Sequence, residues 1–136
     1  MKPRRSPIPV QPLSLHLNQL FRPIFWMACL AVGALSLTPV QNLPHQVFDI
    51  WDKAQHAAGF AMLALLGMLA YPRLLIGVTL GLLGYGAAIE LAQLATGWRF
   101  GDIQDWLADA IGVFTALALR TSWRVLERRV TDRDAQ

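Results

Sequence analysis

Residues 89–112 read IELAQLATGWRFGDIQDWLADAIG, which sets Glu90, Arg99, Asp102, Asp105 and Asp109 among residues that otherwise suit lipid. Upstream, Asp52, Lys53 and His56 open another apolar run. An ionisable residue at the centre of a membrane span costs roughly 2.5 to 3.5 kcal/mol on insertion scales, so such residues mark a functional site by default. The two phrases are read as one site.

The rest of the chain supplies its surroundings. With 136 residues, 54% of them hydrophobic and 15% charged, it allows one domain and lies outside the balance of a small soluble protein. The apolar residues gather in four runs of about 18 to 23 residues, each long enough to cross a hydrocarbon core roughly 30 Å thick. The predicted fold is therefore all-α, a four-helix transmembrane bundle. The single cysteine, Cys29, lies inside the first run, which excludes an intramolecular disulfide and a thiol metal motif. Basic residues cluster at the polar ends of the runs without any nucleic-acid motif, which argues for orientation in a membrane and against a nucleic-acid partner.

Residues 1–23 form a basic arm in which Lys2, Arg4 and Arg5 alternate with Pro3, Pro7, Pro9 and Pro12, a composition that cannot build a core. Its later part, 13–21, is either a short interfacial helix through Leu13, Leu17, Leu20 and Phe21 or a linker. The membrane domain covers 24–120. Pro23 suits the first turn of a first span over 24–40, which lacks an A-x-A-like cleavage site and is expected to be retained. Residues 41–52 make an outer loop with Phe48, Ile50 and Trp51 as an aromatic belt. The second span starts at Asp52 or Lys53 and ends near Tyr71, the third covers 74–96, and the fourth covers 102–119. Gly77 and Gly81, four residues apart, predict the packing face of the third span and a contact for an oligomer. Residues 121–136 are a basic tail whose Trp123, Leu126 and Val130 continue a helical stripe along the interface.

Of the 12 Lys and Arg residues, only Lys53 and Arg99 fall on one side of these spans. By the positive-inside rule both termini are cytoplasmic and the Asp52 and Arg99 loops are outside. Both polar phrases then reach the same membrane face, with Glu90 about 9 Å below it. Spacing selects one face of each helix: Asp52 and His56 at i, i+4; Glu90 and Gln93 at i, i+3; Asp102, Asp105 and Asp109 at i, i+3, i+7. Lipid cannot hydrogen-bond these groups, so they must face the bundle interior or a wet cleft, with Gly59 and Gly86 leaving room.

The residues Asp52-Lys53-x-x-His56 with Phe60, Glu90-x-x-Gln93, and Arg99, Asp105 and Gly112, in this order at the outer ends of successive helices, resemble the VanZ-like family of small bacterial integral membrane proteins. The resemblance covers residues 36–116. Two positions depart from it: Asp109 stands where the family typically has Asn, and the small residue expected after Gly112 is Ala116. The family is named for a member linked to reduced sensitivity to teicoplanin. The resemblance therefore implies the bacterial inner (plasma) membrane and a role in the cell envelope.

Three readings of the site follow. In the first, the cleft binds the polar head of an envelope lipid or lipid-linked intermediate through Asp52, Lys53, Gln93, Arg99, Asp102 and Asp109, with Trp51, Trp98 and Trp106 at its opening. In the second, His56, Glu90 and Asp105 catalyse hydrolysis or transfer on such a lipid, with magnesium, calcium or manganese held by Glu90, Asp105 and Asp109. In the third, the charged cluster sets helix packing in a structural or partner-binding membrane module.

Overall fold

The computed structural model describes residues 13–39, 52–97 and 101–134, without the side chains of 13–17, 52 and 134. Its elements are α1 (Leu13–Leu37), α2 (Asp52–Ala70), α3 (Leu75–Thr96) and α4 (Ile103–Asp134). Among the described residues there is no strand, as the apolar runs predict. Two stretches, Asn18–Leu37 in α1 and Leu75–Thr96 in α3, are long and apolar enough to cross a membrane. α2 opens on Asp52, Lys53, Gln55 and His56, and α4 carries Asp105, Asp109 and a run of arginines, which lowers the hydropathy of both.

Two boundaries differ from expectation. The arm helix and the first span are one helix, since α1 passes through Pro23 without a break. Proline removes one hydrogen bond to the carbonyl four residues back, and a long helix with its other bonds intact absorbs that loss. α1 stops at Leu37, short of residue 40, because Pro39 biases Thr38 away from helical geometry. Thr38 instead turns back, its Oγ1 donating to the Ala34 carbonyl at 2.7 Å. At the other end, α4 continues past residue 119 through the basic tail to Asp134.

The contacts fix the helix directions. Arg22 lies over the Tyr71 ring at 5.1 Å and Trp26 Nε1 donates to Tyr71 Oη at 3.0 Å, so the first half of α1 meets the end of α2. Gln93 Nε2 donates to the Ser36 carbonyl at 3.0 Å, so α1 and α3 end together. His56 meets Asp109 and Ala57 meets Gly112, so α2 and α4 run the same way. The result is an up-down-up-down bundle whose polar cluster lies at one end, with Arg22 and Arg73 at the other.

α2 and α4 make the tightest pair. A Cβ added at Gly112 would overlap the Ala57 carbonyl oxygen and stand 2.9 Å from Ala61 N, so only glycine permits this approach. Gly77 and Gly81 do not play the expected part within the chain. A Cβ at Gly81 meets nothing within 4 Å, and one at Gly77 meets only Leu74 Cβ at 3.9 Å. Both line an open apolar groove between α1 and α3. The reason is the bulk opposite: Phe25 is buried there and Tyr85 Oη reaches the Cys29 carbonyl at 2.6 Å, holding the two helices apart.

The distribution of polarity is inverted relative to a soluble bundle. Glu90, Gln93, Asp105 and Asp109 are buried, while Ile76, Leu80, Leu91, Ile111 and Phe114 are exposed. So large an apolar exterior needs an apolar environment or partners to cover it.

Candidate functional site

The site is built where α2 and α4 begin and α3 ends. Lys53 and His56 lie on one face of the first turns of α2. Lys53 Nζ pairs with Asp102 Oδ2 at 3.3 Å and Asp105 Oδ1 at 3.1 Å. One turn deeper, His56 Nδ1 meets Asp109 Oδ1 at 3.0 Å, with its Nε2 4.0 Å from Asp105 Oδ2. Glu90 arrives from α3, its Oε2 accepting the Asp102 backbone N–H at 2.8 Å. The cluster grades from wet to dry: the Lys53 side chain is 50% exposed and the Asp109 side chain 1%.

Small residues shape the space. A Cβ at Gly86 would stand 2.8 Å from Asp109 Oδ2 and 3.3 Å from Phe60, so glycine makes room for the deepest carboxylate. A Cβ at Gly101 would press on the Glu90 carbonyl and stand 2.7 Å from Leu94, so glycine lets the loop lie against the end of α3. Asp102 then caps α4, its Oδ1 accepting the Gln104 N–H at 2.9 Å. That N–H, and after it the Lys53 ammonium, hold the Asp102 carboxyl below its ordinary range; Asp102 lies in the loop, outside the helix. Among the described residues, four carboxylates face one lysine and one histidine, a balance that favours a cation or an amine as the cluster's guest. Two of their oxygens, Glu90 Oε1 and Asp109 Oδ2, are buried without a hydrogen-bond partner.

A family model described as VanZ/LLP1 matches residues 11–124. The chain belongs to this family. Searches of curated proteins and of solved structures give no match. The VanZ/LLP1 match spans every described residue of the cluster. Together with the two apolar helices, family membership points to a membrane protein.

Within this VanZ/LLP1 chain, Lys53, His56, Glu90, Asp102, Asp105 and Asp109 come together as their spacing predicts. Arg99, Trp51 and Trp98 lie outside the described residues, as does the Asp52 side chain. Gln93 shares the Glu90 face, yet its amide is engaged with the Ser36 carbonyl and ties α3 to α1. Trp106 is half-buried, and its indole N–H donates to the Leu83 carbonyl at 3.0 Å and ties α4 to α3. Gly59 has open space around it. Among the described residues, the acids and histidine close enough to share an ion are His56, Glu90 and Asp109, where the sequence suggested Glu90, Asp105 and Asp109. Asp105 is turned toward Lys53 instead. Gly101 and Trp106 shape the site without having been singled out for that role, since backbone carbonyls are their partners.

Proposed function

We propose that this VanZ/LLP1 protein is a four-span protein of the bacterial inner membrane with both termini cytoplasmic, whose polar cluster opens on the outer face. There it binds the polar head of an envelope lipid or lipid-linked intermediate. The observation that carries this reading is the gradient of exposure, with a half-exposed lysine at the mouth above buried acids. A headgroup entering along the lipid surface meets Lys53 first, which suits phosphate. The acids beneath suit an amine or sugar hydroxyls. Support for the spans comes from the apolar exterior and, among the described residues, from Arg22, Arg73, Arg120, Arg124, Arg128, Arg129 and Arg133, which lie away from the cluster's end. A link to glycopeptide sensitivity would follow from occupancy of such a lipid.

In a stronger form of the reading the site also breaks or transfers a bond. His56, oriented by Asp109, is then the general acid or base, with Glu90 and Asp105 beside it. A second reading is favoured by a different observation: among the described residues, every ion pair in the cluster joins α2 to α4 or to Asp102, the loop residue that caps it. In that case the charges set helix packing in a structural or partner-binding module, and the open Gly77 and Gly81 face receives a second copy.

The test is native mass spectrometry of the full-length protein released in mild detergent, comparing wild type with Asp105→Asn. The lipid reading expects a phospholipid or lipid-linked adduct on the wild type that the folded variant lacks. Equal lipid adducts on both, together with a less stable variant, would leave the packing reading in its place.

A further inference from the structure

We infer that His56, Glu90 and Asp109 form a site for one divalent transition-metal ion, manganese or zinc, at the floor of the cluster. One ligand atom from each residue lies within 4.8 Å of the others. Glu90 Oε1 and Asp109 Oδ2 are buried without a hydrogen-bond partner. A buried carboxylate oxygen with nothing to accept from is uncommon and calls for an explanation such as an ion. Here two such oxygens come from different helices.

Each of these carboxylates is held through its other oxygen. Glu90 Oε2 accepts the Asp102 N–H, and Asp109 Oδ1 meets His56 Nδ1. Nδ1 is the ring nitrogen on the Asp109 side, so an ion shared by Asp109 and His56 takes the proton's place at Nδ1 and leaves the ring proton on Nε2. A dication also offsets two buried negative charges that the single lysine at the mouth does not reach.

The donor set selects the metal. Three carboxylates, Glu90, Asp105 and Asp109, would suit magnesium or calcium. Asp105 is spent on Lys53, and an imidazole takes its place, which shifts preference toward manganese or zinc. Neighbouring donors on one ion at about 2.1 Å stand roughly 3 to 3.5 Å apart in octahedral or tetrahedral geometry. The three side chains must therefore draw in by up to about 1.5 Å, which side-chain rotations supply. The metal site stands apart from the lipid reading, because an ion would serve a packing cluster equally well.

The test uses the full-length protein in mild detergent, stripped with a chelator and titrated with manganese by electron paramagnetic resonance and with zinc by native mass spectrometry. One equivalent of ion is expected to bind, with the spin-echo spectrum of bound manganese showing a single imidazole nitrogen. Loss of an outer partner of a ligand weakens metal binding 10- to 100-fold, so Glu90→Gln and Asp109→Asn are expected to weaken it by about 100-fold or more. Asp105→Asn is expected to stay within about tenfold. No stoichiometric uptake by the wild type, a manganese spectrum without nitrogen coupling, or equal uptake by folded Glu90→Gln and Asp109→Asn would overturn the site. The nitrogen coupling is read on the wild type and does not depend on any variant folding.

Discussion

Asp102 donates its backbone N–H to Glu90 Oε2 at 2.8 Å, so a buried carboxylate of α3 holds the residue that caps α4. The bond closes the turn between the two helices, and Gly101 is what allows the chain to come so near. Glu90→Gln keeps an oxygen in this place, and its melting temperature in chelator is expected to match wild type. Glu90→Leu orphans the N–H and is expected to lose about 1 to 3 kcal/mol. Thermal unfolding in detergent with circular dichroism measures both, and equal losses in the two would show that the bond is not what matters.

The His56–Asp109 pair predicts a double-mutant cycle. His56→Leu leaves Asp109 buried and unpaired, which should destabilise by about 3 to 5 kcal/mol. Asp109→Asn leaves an amide oxygen to accept from the ring, and brings the position to the residue typical of the VanZ-like pattern. Its loss is expected to stay below about 1.5 kcal/mol. The double change to leucine should recover part of the single loss. Additive losses would mean that the two side chains do not depend on each other.

Glycine at 112 and glycine at 81 should respond in opposite senses. Gly112→Leu must push α4 off the α2 backbone, and unfolding or a loss of about 3 kcal/mol is expected. Gly81→Ala meets open space and gains helix propensity, so it is expected to be neutral or to stabilise by up to about 1 kcal/mol. Melting of the two variants in detergent decides this. A destabilised Gly81→Ala would point to a partner on that face.

Asp102 makes stability depend on acid. Its carboxyl is held below the ordinary value by the Gln104 N–H and then by Lys53, so its contribution is complete above about pH 4 and is lost as the pH falls through the folded-state value. Asp102→Asn preserves a capping side chain and removes the charge. The stability gap between wild type and Asp102→Asn should be widest near neutral pH and close below about pH 4. A gap that stays constant through that range would separate the effect from the carboxylate.

Orientation is tested with Cys29→Ala as background. Ile103→Cys, at the start of α4 beside the cluster, is expected to react with a membrane-impermeant maleimide in spheroplasts. Leu74→Cys and Val130→Cys are expected to react only after permeabilisation. The reverse pattern would invert the proposed topology.

Much of this arrangement was legible because helical spacing and alternation of direction work together. Lys53 and His56 share a face at i, i+3, Asp105 and Asp109 share one at i, i+4, and parallel α2 and α4 bring the two faces to one level. Continuity was harder to read. Pro23 and Arg120 look like boundaries in a linear sequence, yet whether a helix crosses them depends on hydrogen bonds that lie elsewhere. The glycine contact was misplaced for a related reason. Gly77 and Gly81 have the favoured spacing, but close approach also needs small residues opposite, and Ala57 and Ala61 lie across from Gly112 whereas Phe25 and Tyr85 stand beside the other pair. Gln93 and Trp106 bond to the carbonyls of Ser36 and Leu83, and a backbone acceptor leaves no trace in residue type.

α4 has 32 residues, a rod of about 48 Å, against a hydrocarbon core of roughly 30 Å. Asp105 and Asp109 sit near one tip and Arg124, Arg128 and Arg129 near the other, with no proline between them. The Gly112 contact with Ala57 lies about a third of the way along. One unbroken rod therefore joins the acids at the cluster's mouth to the arginines at the far end, with no hinge residue between them to decouple the two.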